Sequence, residues 1–545
     1  MRRARIADGV VVALLAWLVG WPLVVVTGAA LEAPGGFGTA LAAFAAREGE
    51  ALALARSLWI SLATVALAAA IGVPLAFLFA RAQFPGRRAL AELVALPVAL
   101  PPLVGVIAFL YLWGESGLGT RLVMAAGGLE SPPWRLSGAG AILVVHAYSM
   151  YVYFYLFTRA ALARLDPSLA EAAASLGAGP VRRFFRVTLP ALRPALGGAA
   201  VLTFLTALGS FSAPYIFGGS YRVMTTQILA SKQNGDVDLA EVETVVLTLL
   251  ALGGFLVARR FERGEAASRQ HGGAAARRPA PTRGARAALA VAGWGLALLL
   301  LAPHLTLGLL SLVPRATWST EVLPPVLSLD NYRRVLGSAE ALRPVANSLG
   351  MALAATAAAL VLGFAAARAA RRGGALGRAA DLLMAVPAAV PATAFAVALA
   401  TTMSVARPWQ GRFLLVGTLV LLPLAYLARA LPSTGRAALA GLAQLDSGLE
   451  EAAASLGAGK LRTLWAVTLP VVRPALAAGA MLAFLAALGD FVLSIVLYTF
   501  DTRPISIEIL SSLRLQETGL AAVYGVLLTA LSAAVFLAFG REREA

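Results

Sequence analysis

The residues that could do chemistry in this chain of 545 residues are few and scattered. The chain has no cysteine and only three histidines, so thiol chemistry, disulfides and a Cys- or His-based metal cluster are not expected. It has no G-x-x-x-x-G-K-[ST] loop, and we therefore expect it not to bind or hydrolyse ATP by itself. We predict no catalytic residue, no metal site and no cofactor bound by this chain.

The clearest chemical candidate is Asp490, which lies in the apolar segment LAALGDFVLSIVL. Placing a carboxylate in lipid is unfavourable, so such a residue is a functional candidate by default. Its counterpart in a similar first-half segment is Ser210, and Tyr148 and Tyr151 share one helical face nearby. We predict that these four residues line a polar pathway, in which an acidic group would suit a cation. The alternatives are a hydrated Asp490 near the outer interface and tyrosines that pack between helices or form an interfacial belt.

Apolar helices must position these residues, and the composition provides them. Hydrophobic residues make up 59% of the chain and charged residues only 13%, whereas soluble domains have about 25% charged residues. Windows of about 20 apolar residues recur, each long enough to cross a bilayer as a helix. We predict an all-α polytopic membrane protein with about twelve spans, at residues 9–30, 57–80, 93–113, 139–162, 195–217, 242–257, 287–313, 348–367, 382–403, 413–430, 475–497 and 520–539.

The net charge of +17 comes mainly from arginines spread between the apolar windows. This distribution is a topology signal, and it lacks the concentrated basic face of a nucleic-acid-binding protein. Most Lys and Arg residues fall on the side of the N-terminus if that side is the cytoplasm. We therefore predict a multi-pass protein of a bacterial cytoplasmic (inner) membrane, with both termini in the cytoplasm and no nucleic-acid partner.

The chain is an internal repeat. EAAASLGAG stands at 171–179 and again at 451–459, and residues 165–196 match 445–476 without a gap. Each predicted half has six spans, an even number, so both halves cross the membrane in the same sense and form a parallel repeat. We predict a first half at 1–258, a flexible cytoplasmic linker rich in Arg, Ala, Gly and Pro at 259–286, and a second half at 287–545.

Each copy of the repeated segment predicts two short helices joined by a glycine bend on the Arg-rich side. In the first copy, Asp166 can cap a helix, Gly177 suits the left-handed position that ends it, and Pro190 is expected to break the next helix. A helix with small side chains can seat in a groove of a partner protein. The alternative is an amphipathic helix on the membrane surface, but the duplication favours docking.

The spacing E-A-A, three residues, G, nine residues, a β-branched residue, any residue, L-P resembles the signature loop of binding-protein-dependent ABC importer permeases. The resemblance covers essentially the whole chain. The fused arrangement resembles the ferric-iron and thiamine permeases, in which one polypeptide provides both membrane subunits. The matching residues are Glu171, Ala172, Ala173, Gly177, Val187, Leu189 and Pro190, and again Glu451, Ala452, Ala453, Gly457, Val467, Leu469 and Pro470.

This resemblance implies the type I ABC importer permease fold and a transmembrane permease subunit of an ATP-driven importer. Such a subunit receives substrate from an extracytoplasmic binding protein and passes it inward by alternating access. Coupling loops at about 165–194 and 445–474 would dock on two copies of a cytoplasmic ATPase subunit, which holds ATP and Mg. The implied coupling residues are Glu171, Ala172, Ala173, Gly177, Glu451, Ala452, Ala453 and Gly457.

The fused layout favours ferric iron as the cargo, with thiamine, phosphonate, a polyamine or a small anion as alternatives. An ion-coupled secondary transporter is the alternative class, because it can also have two parallel six-span halves. Proton coupling needs ionisable residues within spans, and the chain offers chiefly Asp490 and His146, with His304 marginal.

Two further features are expected to serve transport. The polar segments 218–240 and 498–519 would form the platform on which the binding protein lands, or would simply return the chain. Proline clusters in the third span of each half predict kinks that suit gating, although kinks also serve packing. These prolines are Pro97, Pro101, Pro102, Pro387 and Pro391.

Overall fold

The computed structural model describes residues 2–32, 36–95, 97, 101–268, 282–314, 323–405 and 414–540. Within these ranges the regular elements are helices, and no strand is present. In the first half they are α1 (Arg2–Leu15), α2 (Trp21–Leu31), α3 (Gly36–Ala46), α4 (Glu48–Arg81), α5 (Arg87–Leu93), α6 (Pro102–Trp113), α7 (Leu118–Gly127), α8 (Gly138–Arg164), α9 (Pro167–Ser175), α10 (Pro180–Arg183), α11 (Leu189–Leu208), α12 (Ser212–Phe217), α13 (Met224–Gln233) and α14 (Val237–Ser268).

The second half repeats this order. Its helices are α15 (Arg283–Ser311), α16 (Asp330–Leu336), α17 (Ala339–Arg372), α18 (Gly374–Ala389), α19 (Ala392–Met403), α20 (Leu421–Ala443), α21 (Ser447–Ser455), α22 (Lys460–Thr463), α23 (Leu469–Leu488), α24 (Val492–Leu497), α25 (Ile505–Arg514) and α26 (Thr518–Gly540).

Ten helical stretches of the described chain are long and apolar enough to cross a membrane, or eleven if the bent pair α18–α19 counts as one span. The axes of that pair differ by 113°, and Pro391 stands directly before α19, as the predicted kink requires. The span expected at 413–430 is shifted, because α20 begins at Leu421 and is not among the ten. Arg429 and Arg436 lower the hydropathy of this helix.

The linker predicted at 259–286 is helical at both ends. Helix α14 continues to Ser268 and α15 begins at Arg283. The intervening residues, 269–281, lie outside the described ranges.

Two predicted spans are displaced toward the repeated segments. In place of 195–217 and 475–497, the long helices are α11 and α23, and each ends just before a Gly-Ser or Gly-Asp break. Pro190 does not break the helix as predicted. A π-helical turn at Phe184–Thr188 precedes it, and the proline therefore lies in the first turn of α11. The first turn of a helix tolerates a residue without an N–H.

The two halves exchange their first spans. Helices α1 and α2 of the first half pack on α17, α18 and α19 of the second. In return, α15 packs on α5 and α6 of the first half. The largest hydrophobic cluster accordingly contains buried residues of both halves, among them Leu15, Ile107, Phe211, Phe395 and Tyr426.

Within each half a glycine sits where two long helices cross closely. A Cβ on Gly72 of α4 would lie 2.3 Å from the carbonyl oxygen of Tyr151 in α8. A Cβ on Gly363 of α17 would lie 2.6 Å from Oγ1 of Thr434 in α20. Small residues allow this approach, and van der Waals packing is a main source of helix association in lipid.

We predict that Gly72→Val and Gly363→Val each destabilise the protein by about 1–3 kcal/mol, because the added atoms overpack a helix crossing. The thermal unfolding midpoint in detergent, followed by tryptophan fluorescence, should fall by several degrees. Gly350→Val is the matched control, since no heavy atom lies within 4 Å of a Cβ at this position of α17. Equal midpoints for the crossing and control variants would contradict the prediction.

Candidate functional site

The two copies of EAAASLGAG fold in the same way. Oδ1 of Asp166 accepts a hydrogen bond from the Ser168 amide at 2.9 Å, and Asp446 does the same for Gly448 at 2.9 Å. These bonds cap α9 and α21, as predicted for Asp166. We call the segments at 165–194 and 445–474 the first and second loops.

The glycine that ends each of these helices adopts the left-handed conformation, with φ of +78° at Gly177 and +81° at Gly457. The next amide, from Ala178 or Ala458, returns to the carbonyl oxygen of Ala173 or Ala453 at 3.0 and 2.9 Å. This bond satisfies a carbonyl that a helix end leaves free. The predicted glycine bend is therefore present in both loops.

Each loop exposes a small-residue helix with apolar neighbours. Glu171, Glu451 and two of the four alanines in each nine-residue segment are exposed, and Leu176 and Leu456 are 87% and 89% exposed. A leucine that is so exposed at the same place of both repeats forms an apolar surface of the kind that a partner protein or a membrane surface can cover. Further exposed apolar side chains adjoin it at Val181, Phe185, Leu461 and Trp465.

Each loop is joined to a long helix that leads away from it. Within the loops, π-helical turns at Phe184–Thr188 and Leu464–Thr468 lead directly into α11 and α23. Twenty residues of α-helix then span about 30 Å. The far ends of these helices carry Ser210 and Asp490, so one element links each loop to a predicted pathway residue.

A cavity of about 550 Å³ lies between the halves at these ends. Three of the four predicted pathway residues line it: Tyr148, Ser210 and Asp490. Tyr151 does not, because it is buried between helices and its hydroxyl donates to the carbonyl oxygen of Val94 at 2.6 Å. Other polar residues of the lining are His146, Ser149, Tyr153, Thr206, Ser212, His304 and Arg429.

Asp490 caps a helix and faces the cavity. Its Oδ1 accepts hydrogen bonds from the amides of Leu493 at 2.9 Å and Ser494 at 3.1 Å, at the start of α24. The backbone carbonyl of Asp490 also accepts the Ser506 hydroxyl at 2.6 Å. The carboxylate is thus held by hydrogen bonds at the break between α23 and α24.

The first half builds its corresponding position from neutral groups. Oγ of Ser210 is hydrogen-bonded to Nε2 of His146 at 2.8 Å, and Nδ1 of that ring lies 3.1 Å from Oγ1 of Thr64. Thr225 donates to the carbonyl oxygen of Ser210 at 2.7 Å, as Ser506 does to Asp490. The two halves therefore share a scaffold at the cavity but place different chemistry on it.

Arg429 is the charged lining residue that sequence reasoning missed. Its guanidinium donates to the carbonyl oxygens of Pro387 and Val390, the latter at 2.8 Å, at the end of α18. These carbonyls are left free where the bent span breaks before Pro391. The rule that identified Asp490, an ionisable residue within an apolar window, would also have found Arg429 if the predicted span had not ended beside it.

Aromatic rings from both halves meet at the end of the cavity away from the loops, where Phe211 lines it. The ring centroids of Phe211 and Phe491, which match each other in the repeat, are 5.7 Å apart. Tyr215 stacks on Phe211 at 5.1 Å and meets Phe491 at 5.9 Å. Arg514 of the second half donates a hydrogen bond to the hydroxyl of Tyr215. We call these four residues the aromatic barrier.

On the other side the cavity wall follows α11 toward the first loop, through Leu205, Leu202, Gly198 and Pro194. The cavity therefore extends toward the loops and ends at the aromatic barrier. No group of three or more His, Cys, Asp or Glu residues in the described ranges could hold a metal ion.

Comparison with known proteins finds one family model that matches the chain twice. The sequence model of the family described as "Binding-protein-dependent transport system inner membrane component" matches residues 72–265 and 359–541. A probable ABC transporter permease of Sinorhizobium fredii is 30% identical over 89% of this chain and 86% of its own length.

Two further relatives have names that state a cargo, and each matches a smaller share of this chain. A ferric transport system permease of Actinobacillus pleuropneumoniae is 26% identical over 82% of this chain and 64% of its own length. A thiamine transport system permease of Brucella abortus is 31% identical over 45% of each chain.

We predict that cysteines introduced at Phe211 and Phe491 are readily joined by a short bifunctional thiol reagent, because the two rings touch. The chain has no native cysteine, so no background thiol competes. A protease site inserted within 269–281 allows the two halves to be separated after the cross-linking reaction. A denaturing gel of the cleaved protein then shows cross-linked halves as one band and unlinked halves as two. The control pairs Phe211→Cys with Leu482→Cys, whose side chain points outward. Equal cross-linking of both pairs would show that the barrier is open.

Proposed function

The chain belongs to the family of binding-protein-dependent transport system inner membrane components, and on that premise we propose that it is the permease of an ATP-driven ABC importer. Its relatives are permease subunits, and ATP is hydrolysed by a separate ATPase. The observation that carries the proposal is the duplicated loop: each half presents the same glycine-ended helix at the base of a helix that leads to the shared cavity.

The first and second loops act as coupling loops. Each docks on one copy of a cytoplasmic ATPase subunit, which binds ATP and Mg, and Glu171, Gly177, Glu451 and Gly457 shape the docked surface. Two ATPase copies explain why the chain keeps two identical nine-residue segments. The loops lie on the Arg-rich side, so they and both termini are cytoplasmic.

A substrate-loaded binding protein docks on the opposite face. The segments 218–240 and 498–519 follow the aromatic barrier in each half and contain α13 and α25. Arg514 of α25 donates a hydrogen bond to Tyr215 of the barrier. A movement of α25 when the binding protein docks can therefore displace the aromatic barrier. Opening of the barrier and closure of the loop side would then alternate.

Ferric iron is the cargo that we propose first. The fused layout and the ferric permease relative support it, as does a carboxylate at the cavity. A pathway must release its ion, so a weak site with one carboxylate suits passage better than a closed metal cage. Thiamine, phosphonate, a polyamine or a small anion remain alternatives. An ion-coupled secondary transporter is disfavoured, because the relatives are permeases of ABC transporters.

We expect Gly177→Ala and Gly457→Ala to weaken binding of the ATPase by about 5- to 30-fold, because a left-handed non-glycine residue costs about 1–2 kcal/mol. The measurements are ATPase pull-down and binding-protein-stimulated hydrolysis in proteoliposomes. Gly179→Ala and Gly459→Ala are matched controls, since these glycines have φ of −64° and −68° and open space around them. Should the first pair behave like the controls, the loops are not the coupling surface.

Asp490→Asn tests the cargo. The amide oxygen can still cap α24, but the negative charge is lost. If the cargo is ferric iron, uptake by proteoliposomes with ATPase and binding protein should fall about tenfold, the equivalent of about 1.4 kcal/mol. Asp330→Asn, an exposed residue outside the cavity and outside the proposed docking segments, should leave uptake unchanged. Undiminished iron uptake by the Asp490→Asn variant would show that this residue is not part of the pathway. If the cargo is instead an anion, the variant should transport it as fast as the wild-type chain or faster.

A further inference from the structure

The two loops share nine identical residues, but they differ in the residue just before that segment. The second loop has Glu450 and the first has Ala170 at the matching position. Both residues lie in α21 or α9 and are half-buried. The helix caps and glycine bends around them are the same, so this difference can be considered separately from the docking surface.

Glu450 bonds the second loop directly to the helix that follows it. Its Oε1 accepts a hydrogen bond from Oγ1 of Thr468 at 2.8 Å. Thr468 is only 1% exposed and is the last residue of the π-helical turn before α23. A hydrogen bond to a carboxylate is among the stronger ones in proteins. The bond crosses the glycine bend and connects α21 to the base of α23.

The first loop has the donor residue but not the acceptor. Thr188 stands where Thr468 stands in the second loop, at the end of its own π-helical turn, and it is 3% exposed. The methyl group of Ala170 cannot accept a hydrogen bond. Of the two residues that make this bond in the second loop, the first loop therefore lacks only the acceptor.

We propose that Glu450 is a positioning residue that latches the second coupling loop to α23 and makes it the stiffer of the two. Without this hydrogen bond, a displacement of α21 by the ATPase can be taken up by backbone rotation at the bend that contains Gly457 and Gly459. With the hydrogen bond in place, the displacement of α21 is transmitted to α23, and Asp490 lies at the far end of that helix. The consequence for transport rests on the proposed function, whereas the latch itself does not.

Hydrogen–deuterium exchange of the full chain in lipid nanodiscs tests the latch. Residues 171–179 and 451–459 have the same sequence, so their intrinsic exchange rates match and a difference in protection reports structure. We expect amides of the second loop to exchange about threefold or more slowly than those of the first. Equal rates in the wild-type chain would overturn the proposal.

Variants at the bond supply the controls. Glu450→Ala and Thr468→Val should abolish the difference, while Glu450→Gln and Thr468→Ser keep an acceptor and a donor and should preserve it. Ala170→Glu should slow exchange in the first loop, where Thr188 can donate. Exchange in α17 serves as a check that each variant is folded. A difference that survives both Glu450→Ala and Thr468→Val would also reject the latch.

Proteoliposomes with the ATPase and binding protein test its role. We expect Glu450→Ala to lower substrate uptake per ATP hydrolysed by about two- to threefold, with ATPase binding unchanged, and Glu450→Gln to restore the ratio. An unchanged ratio, in a variant whose exchange difference has vanished, would overturn the role in coupling. A wild-type chain without ATP-dependent uptake would instead contradict the proposed function, and the exchange result would still decide the latch.

Discussion

A helix that breaks inside a membrane leaves backbone groups without partners, and satisfying those groups organises the centre of this protein. The amides at the start of α24 bond to Asp490, and the carbonyls at the end of α18 bond to Arg429. Both charges line the cavity because the breaks are there. The polar character of the pathway is thus a consequence of how the helices are interrupted.

The repeat shows what fusion of two halves permits. Ser210, His146 and Ser149 occupy the places that Asp490, Tyr426 and Arg429 occupy in the second half. In a homodimer every charge would appear twice around the cavity, and two like charges facing each other would repel. Two halves encoded in one chain can diverge, so a single carboxylate and a single guanidinium suffice.

The sequence predicts best where local chemistry decides the structure. Asp166 and Gly177 mark a capped helix and its end, and the structure has both. Prediction is weaker where distant elements decide. Tyr148 and Tyr151 share a helical face, but the position of α8 turns only Tyr148 to the cavity. Likewise, hydropathy alone does not show that a π-helical turn precedes Pro190 and that α11 therefore includes this proline in its first turn.

The packing of α23 explains how a displacement of the second loop can reach Asp490. This helix begins beside the second loop and ends two residues before Asp490 and three before Phe491. Near its middle, Gly479 packs so closely that a Cβ there would lie 2.6 Å from that of Ala437 in α20. Gly441 of α20 also packs closely on the loop end of α23. Because the two helices are in close contact at both places, a displacement at the loop would move them together and would reach Asp490 and Phe491 without being absorbed by sliding of α23 on α20.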